Sequence, residues 1–487
     1  MGSRRPRART DCRAGAARVQ IVRLSSATID RLPAEIARPH YDRTAQRRGI
    51  VHLGIGAFHR AHQAVYTDDA MTAGDRGWGI TGVSLRSAGV RDALAPQDGL
   101  YTVSERSASG TQTRVIGSVH DVIVARDTPA LVTAALSHAD THLVTLTVTE
   151  KGYHRLPGGA LDLDAIRNAD DTIYAHLAQG LACRRAEGLP GLTLLSCDNL
   201  ADNGRVLEQG LAVYLDLVDP GLRGWFESEC ACPSTMVDRI VPAATAATLD
   251  DAEAQMGLRD EGAITTEPFQ QWVIEDRFAG PRPRWEAVGA QIVAAVKPYE
   301  TAKLRLLNGA HSALAYLGLA AGLRFVHEAI ADPRVRPVVE RIMRNEATAS
   351  IDAAPGQDLS AYIELLLARF ANPALPHNLL QIAADGSQKI GPRWLKPLAI
   401  NRSRGLPCPA TLRALAGWTI FIRGDTAPVD DPMAQEFARL WRSAGSAGII
   451  DALFGAEGPL YAPDAIGEVE SAELAAIVEN GSLLSGA

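Results

Sequence analysis

Apolar positions in this chain follow two different periods. Up to Asn199 they gather into short runs bounded by glycine, asparagine and aspartate, which predicts strands. Ile50-Val-His-Leu53 runs into Gly54-Ile-Gly56, and Trp78 to Leu85 forms a second run. His142–Val148 and Leu192–Ser196 are continuously apolar or Thr-rich, as strands buried on both faces are. Leu100–Glu105 and Arg114–Val124 alternate, which predicts antiparallel or edge strands. Between these runs, Ala57–Met71, Pro129–Ser137 and Ala165–Glu187 have helical composition. Thr128 is placed to cap the second of these, and Pro129 suits its first position. Strands alternating with helices predict an α/β fold with a doubly wound parallel sheet. Ligands of such sheets sit beyond the carboxyl ends of the strands, where Gly54, Glu150 and Asn199 fall.

From Pro298 onward the period becomes helical, over 303–322, 324–349, 359–371, 375–384, 409–422, 432–444, 446–454 and 470–481. The chain therefore divides into a doubly wound domain over 24–297 and a mostly α-helical domain over 298–487. Residues 24–48 are polar and turn-rich and are expected to wrap over the surface. Residues 1–23 are Arg-rich without an apolar segment, so they read as a disordered basic extension and not as a secretory signal.

Totals narrow the function classes. A net charge of −7 and a pI near 6.0 argue against a nucleic-acid or anionic-membrane surface. No apolar run approaches the ~20 residues of a membrane span. Six scattered cysteines form no disulfide framework, which points to a reducing, cytoplasmic setting. Cys230 and Cys232 form a lone C-x-C without a second pair at zinc spacing, so no metal site is expected.

Candidate chemistry centres on Lys303-Leu-Arg-Leu-Leu-Asn308-Gly-Ala-His311. On an α-helix Asn308 lies about 140° round from Lys303, with His311 between them at about 80°. All three can look into one cleft, although the pattern alone is equally that of a solvated helix face. A lysine acting as general base needs a lowered pKa, and burial or a cation such as Arg305 would lower it. Neutral Lys303 can take a hydroxyl proton as hydride leaves the carbinol carbon, and charged Lys303 can return it. Glu300 can relay that proton. The amides of Asn199 and Asn308 can hold the developing oxyanion. Asp238 suits the orienting of Lys303 or the binding of a substrate hydroxyl, and equally an ion pair with Arg239 or a helix cap. Lys389 and Arg393, in a Gly/Pro-broken stretch read as a basic loop, suit a substrate carboxylate or simply a surface loop.

At the other end, Gly54-Ile55-Gly56-Ala57-Phe58-His59-Arg60 follows a strand and opens a helix, the context required of a dinucleotide turn. His59 replaces the usual third glycine. The glycines admit a pyrophosphate to the helix start, and Arg60 is expected to face phosphate. The second strand runs into Leu85-Arg86-Ser87 and lacks the acid that grips an NAD ribose, while Arg86 and Arg91 leave NADP open.

These motifs together resemble the polyol-specific long-chain dehydrogenases, also called the mannitol dehydrogenase family. The matching segments are Gly54-x-Gly-x-Phe-His-Arg-Ala-His-Gln63, Ser196-Cys-Asp-Asn199, Met236-Val-Asp-Arg239, Glu267-Pro-Phe-Gln-Gln-Trp272 and Lys303-x4-Asn308-Gly-x-His311. The resemblance implies a Rossmann-type domain, a helical C-terminal domain and metal-independent, NAD-linked hydride transfer, often by a monomer. It implies Lys303 as catalytic lysine, Asn199 and Asn308 as oxyanion ligands, His311 and Asp238 as positioning groups and Glu300 as proton relay. Thr147-Val-Thr-Glu-Lys-Gly-Tyr153 and Asp385-Gly-Ser-Gln-Lys389 look like the uronate-reducing branch, with D-mannonate and D-fructuronate as the substrate pair. Neutral-polyol members carry an arginine at the place of Gln381 and a Glu-Asp pair at that of Ala88-Gly89. The alternative substrates are mannitol, arabinitol and sorbitol. Substrate choice is expected around Gln381, Lys389 and Arg393.

Overall fold

The structure, a computed structural model, describes residues 22–156, 159–167, 169–481, 483 and 484. The basic extension, except for Val22 and Arg23, and Cys12 lie outside the described residues. The strands are β1 (Ile50–Leu53), β2 (Ile80–Ser84), β3 (Tyr101–Ser107), β4 (Gly110–Ile116), β5 (Val119–Val124), β6 (Leu143–Leu146), β7 (Thr193–Ser196), β8 (Thr235–Asp238), β9 (Ile264–Thr266), β10 (Gln271–Glu275) and β11 (Gln291–Val293). A five-stranded parallel sheet has the order β5-β2-β1-β6-β7, with Ile50 opposite both Ile80 and Leu143. All four residues of β1, β6 and β7 are buried, which is why they read as unbroken apolar or Thr runs. The order reverses at β1, so the crevice beyond the ends of β1 and β6 is the natural ligand site. The pair β3–β4 is an antiparallel hairpin as expected, joined by β9. Beyond it, β5 belongs to the parallel sheet and not to an antiparallel one. A third sheet pairs β8 antiparallel to β10 and β10 parallel to β11.

Several expected elements differ for local physical reasons. The helix after Gly56 breaks at His62 (φ −129°, ψ −86°), which turns out to bond the Gln271 carbonyl at 2.8 Å. Thr128 does not cap its helix, since its hydroxyl donates to Val124 O at 3.2 Å. Residues 24–48 do more than wrap the surface. Leu24, Leu32 and Ile36 are buried against Leu100, Met256 and Leu258.

The helical region builds one core from Ala302 to Leu483. The expected helix over 324–349 divides into Val326–Ala331 and Arg336–Ala347, because Asp332 precedes Pro333 and is held extended. Over 375–384 only Leu379–Ala383 is helical, starting from an Asn378 cap. The basic loop of the sequence reading is instead helix from Gly386 to Ser403. Gly386 is there for close packing, since a Cβ would stand 2.5 Å from Trp418 and 2.6 Å from the Tyr316 hydroxyl. The helix carrying Lys303 begins at Lys297 and runs to Ala320. Its middle, Lys303–Asn308, is π-helical, as are Ile342–Ala347 and Gly391–Leu395. The first of these packs against both others. Bonding from i to i+5 brings Lys303 and Asn308 nearer one side than the 140° expected of an α-helix.

Candidate active site

A cleft of about 520 Å³ opens at the carboxyl ends of β1, β6 and β7, from Gly54 and Gly56 at one end to Asn199 and Lys303 at the other. A smaller cavity of about 140 Å³ adjoins it, lined by Asn199, Glu300, Lys303 and Asn308 among others. Gly54 has φ +91°, and a Cβ there would stand 2.2 Å from Thr147 O. At Gly56 a Cβ would meet nothing nearer than Gly54 O at 3.7 Å, so the space before the helix is open. No side chain caps that helix start, which leaves its first amides pointing at the opening. These features fit a dinucleotide pyrophosphate. Ala57 and Phe58 line the cleft.

Two expected coenzyme contacts are not there. Ile55 is buried in the apolar core. Arg60 is buried under the helix, donating to Gly262 O at 2.6 Å and lying over the Tyr101 ring, so it faces no phosphate. His59 fills the third-glycine position by stacking on His52 of β1, with ring centres 3.3 Å apart. Of the two cations after β2, Arg91 is engaged by Asp92 at 2.8 Å and Asp127 at 3.3 Å, while Arg86 is exposed.

Lys303 joins the cleft to the cavity. Its Nζ donates to Asn199 Oδ1 at 2.9 Å and to Val237 O at 2.7 Å. Burial pushes its pKa below the ordinary lysine value; Asp238 opposes this and Arg369 reinforces it. Arg305, the cation expected to do so, points away to the Ser350 carbonyl. The second oxygen of Glu300 has no hydrogen-bond partner, while the first accepts from Asp202 N at 3.1 Å. Burial raises the Glu300 pKa, and Lys297, 3.5 Å away, opposes that. The arrangement offers a proton acceptor, two amides flanking it and a carboxyl group leading outward.

Asp238 pairs with Arg369 and not with Arg239. Arg369 donates to its two oxygens at 2.7 and 3.1 Å and to those of Glu267 at 2.7 and 2.9 Å, over the Phe269 ring. Arg239 pairs instead with Glu105 at 2.5 Å. Arg369 escaped the sequence reading because it lies 66 residues beyond Lys303. The available signal was a lone cation in the apolar turn Leu365-Leu-Leu-Ala-Arg-Phe370. Asp198 was also missed. It accepts from Thr149 N at 2.7 Å, Val148 N at 3.1 Å and the Tyr153 hydroxyl at 2.7 Å. These bonds hold Thr149 at φ +65°, ψ 166°, a conformation few L-residues adopt.

His311 lies beside Phe370 and His377, ring centres 4.8 and 5.5 Å away. Burial and then the neighbouring His377, Arg369 and Arg393 push its pKa well below the ordinary value, so it is neutral. Arg393 reaches the same wall, donating to Ser312 Oγ at 2.7 Å and to Asn308 O at 3.2 Å. Among the described residues no carboxylate pairs with it, and burial pushes its pKa down to about 10. Lys389 and Gln381 are not brought to this wall. The Lys389 ammonium caps the Leu379–Ala383 helix through Ala384 O and Ile382 O, and Gln381 is exposed.

Among the described residues no group of three or more His, Cys, Asp or Glu side chains is placed to hold a metal ion. No described helix is long and apolar enough to cross a membrane.

Comparison with known proteins agrees with the motif order. D-mannonate oxidoreductase of Escherichia coli is 39% identical over 447 residues, 88% of this chain and 92% of that protein. Mannitol 2-dehydrogenase of Phaeosphaeria nodorum is 38% identical, over 89% of this chain and 80% of its own. Among solved structures, Pseudomonas fluorescens mannitol 2-dehydrogenase in ternary complex with NAD and D-mannitol superposes with TM-score 0.78 at 34% identity, covering 95% and 97% of the two chains. A substrate-free D-sorbitol dehydrogenase gives 0.87 at 28%, covering 94% and 99%. Residues 48–287 match the mannitol dehydrogenase Rossmann domain and residues 295–458 the mannitol dehydrogenase C-terminal domain. With both domains matched in order around one cleft, the chain belongs to the mannitol dehydrogenase family.

Proposed function

We propose that this chain is an NAD-dependent, metal-independent secondary-alcohol dehydrogenase that interconverts D-mannonate and D-fructuronate. One observation carries the choice of an acidic substrate. Arg393 is a half-buried guanidinium with no carboxylate partner among the described residues, beside Asn308 and near His311. A sugar-acid carboxylate supplies the missing charge. The coenzyme side comes from 24–297 and the substrate side from 298–487.

Bound NAD supplies the hydride acceptor in oxidation, with Gly54, Gly56, Ala57 and Phe58 forming its cradle. Lys303 in its unprotonated form, which burial favours, takes the hydroxyl proton. Asn199 is fixed by its bond to Lys303, and its NH₂ donates to the substrate oxygen together with that of Asn308. His311 is neutral and donates to an adjacent hydroxyl. Glu300, which lines the cavity and has one oxygen held only by the Lys297 ion pair, passes the proton outward. Reduction reverses each move.

The test is a substrate panel of D-mannonate, D-mannitol, D-arabinitol and D-sorbitol with NAD and NADP. D-mannonate with NAD is expected to give the highest kcat/KM. Turnover of D-mannitol without D-mannonate would establish the second reading, a neutral-polyol dehydrogenase, which the likeness to the NAD and D-mannitol complex favours. We further infer a cytoplasmic monomer, checked by light scattering in solution and by cell fractionation.

A further inference from the structure

Arg369 is the strongest group in the site that the proposed mechanism does not use. It sits on the helix Leu359–Phe370 of the helical region, yet both its partners, Asp238 and Glu267, come from the region before residue 297. All three side chains are at most 6% exposed. Asp238 directly follows Val237, whose carbonyl holds the Lys303 ammonium at 2.7 Å. A carboxylate left free there would favour the Lys303 ammonium. The bidentate pair with Arg369 occupies both of its oxygens instead.

We propose that Arg369 is a positioning residue that keeps Asp238 from forming an ion pair with Lys303, and so keeps Lys303 in its proton-accepting form. This rests on the reading of Lys303 as general base. The other charged or titratable groups lining the cleft and cavity with Lys303 are Glu300 and Lys297 on its own helix, Glu150 and Asp198 across the cleft, the latter held by Thr149 N and the Tyr153 hydroxyl, and Arg239, paired with Glu105; the buried, neutral His62 lies nearby. Glu300 favours the ammonium, and its effect is unchanged by any alteration at Arg369. Two effects of removing Arg369 act in the same direction. One cation that disfavours the ammonium disappears, and one anion that favours it is released. Since Arg369 reaches Asp238 from the other region of the chain, Lys303 has this environment only while the two regions are docked.

The experiment is the pH profile of kcat/KM for alcohol oxidation in wild type, Arg369→Met, Arg369→Lys, Asp238→Asn and the double variant Arg369→Met/Asp238→Asn. In oxidation the rate rises as Lys303 loses its proton. Arg369→Met is expected to move that limb up by about one pH unit, which lowers the rate on the limb about tenfold. Ketone reduction should then persist to higher pH by the same interval. Arg369→Lys should restore most of the limb, and the double variant should return it towards wild type. Asp238→Asn alone should move it down. A uniform loss of rate in both directions, with the limb unmoved, would make Arg369 a structural clasp and overturn the proposal. If Arg369→Met fails to fold, the Asp238→Asn and Arg369→Lys profiles decide alone, and unmoved limbs in both overturn it. Lys303→Met is measured in parallel. Retained turnover there sinks the general-base reading itself, a different outcome from an unmoved limb.

Discussion

Replacing Arg393 by methionine separates acidic from neutral substrates. Among the described residues this guanidinium has a hydroxyl and a carbonyl as its hydrogen-bond partners, and burial depresses its pKa to about 10. At about 1.4 kcal/mol for each tenfold change in proton affinity, that depression means that the half-buried charge is disfavoured by about 3 kcal/mol. A carboxylate arriving with the substrate relieves most of this, and partial exposure trims the gain to about 2–3 kcal/mol. Arg393→Met should therefore lower kcat/KM for D-mannonate and D-fructuronate about 30- to 150-fold. Some loss will be common to all substrates, because Arg393 also tethers the Asn308 carbonyl and Ser312. The diagnostic quantity is the ratio of acid to polyol kcat/KM, measured by NADH absorbance on D-mannonate and D-mannitol side by side. The free variant should melt no lower than wild type, since it loses an uncompensated charge. Equal losses on both substrates, or a lower melting temperature with an unchanged ratio, would refute the reasoning.

Lys303→Ala should lower turnover by roughly 10²–10⁴-fold, the usual contribution of a positioned proton carrier, with NADH binding by fluorescence nearly unchanged. Gly56→Ala should leave the melting temperature within a degree or two of wild type but weaken NADH binding about tenfold, because its Cβ enters the open cradle. Gly54→Ala should lower the melting temperature itself, its Cβ standing 2.2 Å from Thr147 O. Stability should fall in acid. His52 and His62 are neutral and buried, with burial lowering both pKa values to about 3. The unfolded chain binds their protons below about 6.5, so stability is full above that pH and declines from there towards 3. At pH 5 each costs about 2 kcal/mol, so chemical denaturation at pH 5 and 7 should differ steeply. His52→Phe should flatten that difference.

The parallel sheet was legible because β1, β6 and β7 are buried on both faces and so leave unbroken apolar or Thr runs. Gly54, Asn199 and Lys303 were legible because each interrupts a regular pattern with a residue the pattern does not need. Arg60 was misplaced for an equally physical reason. A cation in the first turn of a helix opposes the dipole and reads as a ligand, but Gly262 O and the Tyr101 ring accommodate it from segments far along the chain. Lys389 looked free for the same reason, its partners being backbone carbonyls that no side-chain pattern reveals. The helix at Gly386–Ser403 was hidden by its glycines and proline, which usually mark loops. The pairing of Asp238 with Arg369 depends on the docking of two regions and has no local trace.

The π-helical stretch from Lys303 to Asn308 has a consequence for how this helix tolerates length changes. A π turn is what an α-helix adopts when it must absorb one surplus residue. Removing a single residue between Leu304 and Leu307 would let the helix relax to uniform α-geometry, with better hydrogen bonds and no break in the buried face of Gly309–Ala320. The shortened helix would swing Lys303, with the buried Tyr299 and Ala302 before it, round the axis relative to Asn308 and His311. The surplus residue is thus kept against the helix's own preference, in the manner of sites where regularity and activity are at odds.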